Sequence, residues 1–257
     1  MPTPVPAAKS TELINRLNRL RHQDSVDQFA LTRLKLEARK LLAIQAQASH
    51  GYVVLGIVAS LEELEDESRD YFEKALRLTP NDAFVEVNYA TSLSHFGGLT
   101  EARELLARAF RRTPDDVKLL AELIKMNLGS GQFAETLALL RRWEALGREP
   151  AEVIDLDAAA LARLGERLSG VGISGEHLGQ YIESAARLIR AQGVRIESYN
   201  MLILPDGSAY YNFGVRANEQ RTLDLLMSLA DYKVANFNDE LDELMTLTCS
   251  VWKDSDS

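Results

Sequence analysis

One stretch of this chain recurs at a fixed distance. YFEKALRLTPND at residues 71–82 is followed 34 residues later by LLARAFRRTPDD at residues 105–116. A period of about 20 to 50 residues is typical of stacked structural units, none of which can bury its apolar face alone. The echo therefore predicts an array of helical hairpins, and it gives no support to catalytic groups held at a fixed spacing.

Three copies follow this period, and they start at Ser49, Ala83 and Val117. Each copy has the apolar spacing of a helix, a short turn and a second helix. Proline cannot continue a helix, so Pro80 and Pro114 are expected to end the second helix of their copies. The Asn and Asp residues that follow each proline are natural N-caps for the next helix.

Small and aromatic residues recur at matching positions of the copies. They are Tyr52, Leu55, Gly56, Phe72, Ala75 and Pro80 in the first copy, and Tyr89, Ala90, Gly97, Ala102, Ala109 and Pro114 in the second. This pattern resembles the tetratricopeptide repeat (TPR) over about residues 49–167, and it weakens in the third copy, where Trp143 occupies a usually small position. The resemblance implies a superhelix of helical hairpins whose concave groove binds a segment of another protein.

The segments outside the copies have different patterns. Two apolar stripes within residues 1–48 predict an N-terminal tail and a capping helix pair, which repeat arrays need at their ends. The array is expected over 49–168, a glycine-rich linker over 169–175, and a small α+β module over 176–257. The predicted fold is mainly α, with a TPR-like helical-hairpin superhelix followed by a small α+β module that contains a β-hairpin.

Alternating polar and apolar residues in the C-terminal module predict strands. A Pro-Asp-Gly turn at residues 205–207 separates two such runs, so residues 195–204 and 209–215 are expected to pair as the hairpin. Residues 245–252 alternate in the same way and predict a third strand. Amphipathic helices are expected over 177–193 and 218–230.

In a TPR-like array the first helix of each pair lines the concave side. Counted by phase, the candidate groove residues are His50, Val53, Ile57, Phe84, Val87, Asn88, Thr91, Lys118 and Lys125. A groove with an apolar floor and lysines at one end fits an amphipathic helix or an apolar peptide with an acidic end. In the alternative interpretation, these apolar residues pack against the capping helices or the C-terminal region.

The resemblance also bears on how a partner could be held. Some members of the family clamp a C-terminal carboxylate, and Asn88 and Lys118 fall on two of the clamp positions. Val53, Ile57 and Glu122 fall on other clamp positions, and none of them can donate a side-chain hydrogen bond. The residues therefore do not favour a carboxylate clamp.

Charge is distributed unevenly along the chain, whose formal net charge is −9. Basic residues dominate between residues 11 and 40, and acidic residues dominate between residues 218 and 257. Both runs are read either as solvated helix faces or as complementary docking surfaces. Docking would join copies into a homo-oligomer through the basic N-terminal and acidic C-terminal ends, or would bind a charged partner. Because a negatively charged protein repels phosphate groups, the net charge predicts that the protein binds no nucleic acid and no membrane.

Residues suited to catalysis or metal binding are sparse. His22, His50, His95 and His177 are scattered along the chain, so no metal site is expected. Cys249 has neither a base nor a cation beside it in sequence, so a catalytic role is not expected, and no cofactor motif occurs. A single cysteine and the lack of a long apolar run favour a cytoplasmic location.

The sequence predicts a non-enzymatic protein–protein interaction scaffold or adaptor. One alternative is an acidic inhibitor or immunity-type protein that neutralises a basic toxin or enzyme by electrostatic matching. A second alternative is an enzyme with a site in the C-terminal module that uses Asp206, Tyr210 or Cys249. The aromatic side chains of the hairpin are expected to pack in the core or to contact protein; stacking on bases is the less favoured interpretation.

Overall fold

The computed structural model describes residues 7–21, 27–237 and 239–252, so predictions at His22 and at both chain ends lie outside the described residues. The described chain is mainly helical and ends in a three-stranded sheet, which confirms a mainly α fold with a C-terminal α+β module. The helices are α1 (Ala7–Arg21), α2 (Gln28–Leu42), α3 (Ala48–Leu61), α4 (Glu65–Leu78), α5 (Ala83–His95), α6 (Leu99–Arg112), α7 (Val117–Gly129), α8 (Phe133–Ala145), α9 (Ala158–Gly170), α10 (Gly175–Ala191), α11 (Glu219–Asn236) and α12 (Asp239–Leu244). The strands are β1 (Arg195–Ile203), β2 (Ala209–Arg216) and β3 (Met245–Val251).

The helices keep the period of the sequence. The second helices of the three pairs, α4, α6 and α8, begin 34 residues apart. The turn before each of them contains one residue with a positive φ: Glu63 at 64°, Gly97 at 82° and Gly131 at 74°. Glycine adopts this left-handed conformation without strain, whereas the Cβ of Glu63 is strained there.

The echoed segments form the junctions between helix pairs. The hydroxyls of Thr79 and Thr113 each donate to the carbonyl oxygen four residues earlier, at 3.2 Å, where α4 and α6 end. Asp82 and Asp116 then accept backbone N–H groups of the next helix at 2.9 Å. Proline, which cannot extend a helix, lies between the two caps. The prediction that the echo ends one pair and starts the next is confirmed.

Contacts divide the chain into two compact units, of which the first ends at Ser92. Within it α3 packs against both predicted capping helices, α1 and α2, and against α4. Gly56 of α3 must be small because a Cβ there would lie 2.7 Å from the Phe72 ring of α4. The Phe72 ring in turn stacks on Tyr89, with 4.9 Å between centroids. The small residue of the repeat pattern therefore marks a close contact between helices.

The second unit starts at Leu93 and includes the sheet. One buried cluster joins Leu99 of α6 and Phe133 of α8 to Ile182 of α10, Phe213 of β2 and Leu225 of α11. The glycine-rich segment that was predicted as a linker connects α9 to α10, and both helices contribute to this cluster. The C-terminal module thus shares a core with the later repeat helices.

The sheet has strand order β1-β2-β3. β1 and β2 pair antiparallel, as the turn at residues 205–207 predicts, with a shift in register between Ile196 and Ser198. β3 runs parallel to β2 because α11 and α12 carry the chain back before it re-enters the sheet. Tyr211 and Phe213 of β2 face the core, whereas Tyr210 lies on the open face.

Two tyrosine hydroxyls connect the sheet to the ends of repeat helices. Tyr211 donates a hydrogen bond to the carbonyl oxygen of Gly129, the last residue of α7. Tyr199 donates at 2.5 Å to the carbonyl oxygen of Ser94, near the end of α5. The last four carbonyl groups of a helix have no partner within the helix. The two hydroxyls therefore donate hydrogen bonds to carbonyl oxygens at these helix ends, which receive none of their own within the helix.

Candidate partner-binding surface

The exposed part of the predicted groove in the first unit is one face of α5 with a neighbour from α3. Phe84, Val87, Asn88 and Thr91 follow one another at helical spacing on α5, and all are at least partly exposed. His50 of α3 meets the Phe84 ring edge to face, with 5.3 Å between ring centroids. The Phe84 side chain is still 37% exposed. We call these five residues the α5 surface.

The polar side chains of the α5 surface bind their own helix. Asn88 Nδ2 donates to the Phe84 carbonyl oxygen at 2.8 Å, and Thr91 Oγ1 donates to the Val87 carbonyl oxygen at 2.9 Å. The surface therefore presents an aromatic ring and a valine beside two fixed polar groups, which suits a partner with a mixed apolar and polar face.

Val53 and Ile57 are buried, unlike the α5 surface. Both lie on α3, which is packed by α1, α2 and α4, so neither side chain is available to a partner in this structure. Phase alone predicted them as the floor of an open groove. Their burial matches the alternative in which the apolar residues of α3 pack within the protein.

Lys118 and Lys125, the lysines of the predicted groove, lie on α7 in the second unit, and both are exposed. Glu122 stands between them on the same helix face, and its carboxylate is 3.5 Å from Lys125 Nζ. This face of α7 is therefore mixed in charge, and Lys118 forms no ion pair with any residue that the structure describes.

The residues considered for catalysis do not converge. Cys249 is buried and its thiol lies 3.5 Å from the Thr222 carbonyl oxygen, and burial raises the pKa of the thiol to about 11. Asp206 is exposed in the hairpin turn, where hydrogen bonds from Ser208 lower the pKa of its carboxyl. Tyr210 lies on the open face of the sheet, opposite to the face on which Cys249 is buried. These three side chains form no common site.

The other hairpin aromatics are packed inside the second unit. Tyr211 and Phe213 are buried, with 5.2 Å between their ring centroids, and Tyr199 meets Phe213 at 5.9 Å. Burial raises the pKa of both tyrosines, so their hydroxyls stay protonated as hydrogen-bond donors. These rings are not displayed as a platform for stacking on bases.

A buried ionic cluster on the hairpin was missed by the sequence reasoning. The Glu197 carboxylate forms ion pairs with Arg195 Nε at 2.9 Å and with Arg216 Nε at 2.7 Å. Arg195 and Arg216 face each other across the strand pair, so the carboxylate separates two like charges. His95 Nδ1 lies 2.9 Å from the Ile196 carbonyl oxygen, and Trp252 stacks on Arg216. The available signal was an Arg-Ile-Glu alternation at the start of the strand, which alone does not indicate burial.

In comparisons with known proteins, no family model matched this sequence and no curated protein was significantly similar to it.

None of the described helices combines the length and apolar character needed to cross a bilayer. Within the described ranges, no three His, Cys, Asp or Glu side chains are grouped as a metal would require.

Proposed function

We propose that this protein is a non-enzymatic interaction scaffold that binds a helix or an extended peptide of a partner protein on the α5 surface. The observation that carries the proposal is the ring of Phe84, which is 37% exposed and packs edge to face against the His50 ring. Aromatic side chains held rigidly at a surface are typical anchors of protein interfaces, because little conformational entropy is lost on binding.

The architecture supports the same proposal. Helix pairs that restart every 34 residues, with a left-handed residue in each turn, are consistent with a TPR-like array. Such arrays use exposed side chains of the first helix of a pair to bind extended segments. α5 is the first helix of its pair and carries four of the five residues of the α5 surface. We place this scaffold in the cytoplasm, in agreement with its single cysteine.

The proposal is tested by crosslinking in the native cell. A photoreactive phenylalanine analogue replaces Phe84, and in a matched control it replaces Leu78, which is 53% exposed at the end of α4. We expect a crosslink to one segment of a partner protein from position 84 and none to that segment from position 78. Equal crosslinking from both positions, or crosslinks scattered over many segments, would overturn the proposal.

A further inference from the structure

α11 displays an apolar stripe that the second unit leaves uncovered. Leu223, Met227 and Val234 are 55%, 73% and 84% exposed, and Ala230 between them is exposed as well. Their spacing along the helix is four, three and four residues, which is the seam of a two-helix pairing. A solvated helix normally carries polar residues on such a face. The stripe therefore has the pattern of a surface that pairs with a second helix.

Two carboxylates flank this stripe on one side. Asp224 and Asp231 are exposed and lie seven residues apart, that is, two helical turns or about 10.5 Å. Neither carboxylate forms an ion pair with any residue that the structure describes. The nearby Lys233 is paired differently, since its Nζ lies 2.5 Å from Asp242 of α12.

α2 carries a face with the same spacing and the opposite charge. Phe29 and Leu36 are 79% and 53% exposed, and Arg33 and Lys40 alternate with them at intervals of four, three and four residues. Arg33 and Lys40 are exposed and form no ion pair with the described part of the chain. Their neighbour Lys35 points elsewhere, and its Nζ lies 2.5 Å from Glu62.

We infer that the exposed face of α2 in one copy of this protein docks onto the exposed face of α11 in a second copy. Arg33 and Lys40 are seven residues apart, as are Asp224 and Asp231, so both cations can reach both carboxylates at once. The aliphatic stems of the two cations would lie along the apolar stripe of α11 while their charged ends meet the carboxylates. The inference uses neither Phe84 nor α5, so it stands or falls independently of the proposed function.

The contact joins two different surfaces of the protein, and this determines which oligomers it can form. Because each copy carries both an α2 face and an α11 face, two copies can close on each other through two such contacts, or the contact can continue from copy to copy into a ring or an open chain. Two short helices bury less area than a standard stable interface, so we expect a Kd on the order of micromolar. Because exposed charges contribute, added salt should weaken the assembly.

Charge reversal tests the inference. The first variant is Arg33→Glu/Lys40→Glu and the second is Asp224→Arg/Asp231→Arg, with far-UV circular dichroism to check that each is folded. Light scattering from about 0.1 µM to about 500 µM brackets a micromolar Kd. We expect the wild-type mass to rise above the 28.6 kDa of one chain, each variant alone to stay at that mass, and an equimolar mixture to assemble again.

A matched control distinguishes an effect of the docking faces from an effect of the net charge. Arg111→Glu/Arg141→Glu changes the net charge by the same amount through two exposed arginines of α6 and α8, and it should assemble as the wild type does. Met227→Glu should abolish assembly without altering α2. A wild type that remains monomeric up to about 500 µM overturns the inference, since its Kd would then exceed the micromolar range. So does a mixture of the two reversed variants that fails to assemble.

Discussion

Removal of the Tyr211 hydroxyl is expected to destabilise the second unit. The hydroxyl donates to the carbonyl oxygen of Gly129, and Tyr211 is buried, so in Tyr211→Phe that oxygen loses its partner in the interior. An unsatisfied buried polar group costs about 1–3 kcal/mol. For a unit of this size, each kcal/mol shifts the Tm by about 2–4 °C. The variant should therefore melt about 2–12 °C below the wild type.

Tyr210→Phe removes the same atom from the open face of the sheet and serves as the control. Tyr210 is 43% exposed, so its hydroxyl is hydrated and the change should stay within about 0.5 kcal/mol. Both tryptophans, Trp143 and Trp252, lie in the second unit, so urea unfolding followed by tryptophan fluorescence reports on that unit. Equal losses of stability in the two variants would refute the role assigned to the Tyr211 hydroxyl.

Three further changes test the repeat geometry and the thiol. Gly56→Ala places a methyl group against the Phe72 ring and should cost about 1–3 kcal/mol in urea unfolding; an unchanged midpoint would contradict the close α3–α4 contact. Glu63→Gly removes the backbone strain of a left-handed residue and should raise the free energy of unfolding by about 1 kcal/mol. A lower free energy of unfolding would show that the Glu63 side chain stabilises the fold by more than the strain costs. Because its pKa of about 11 keeps the buried thiol of Cys249 protonated, iodoacetamide at pH 8 should label it only after unfolding, and rapid labelling of native protein would contradict that environment.

Local signals made most of the fold predictable. Proline ends a helix and aspartate starts one through contacts within a few residues, so Thr79, Asp82 and their counterparts Thr113 and Asp116 could be read from the chain. The β-hairpin followed from its Pro-Asp-Gly turn in the same way. These features depend on contacts between residues close in the sequence and not on how the helices and strands pack together.

Features that depend on distant contacts could not be read in this way. Helical phase identified Val53 and Ile57 as inward-facing residues of α3, but it could not show that they are buried. The same limit applies to Tyr211, whose hydroxyl reaches a helix end 82 residues earlier in the chain, and to the ion pairs of Glu197. Burial decides whether such residues form a site or part of the core, and burial is set by the tertiary fold.

The central claim is that Phe84 anchors a partner segment, and calorimetric titration tests it most directly. The segment crosslinked at position 84 is made as a synthetic peptide and titrated into the wild type, Phe84→Ala and the control Leu78→Ala. Truncation of an interface anchor costs about 2 kcal/mol or more, so Phe84→Ala should weaken binding by at least about thirtyfold with an unchanged Tm. Leu78→Ala should bind as the wild type does. Equal affinity of all three proteins for the peptide would contradict the claim.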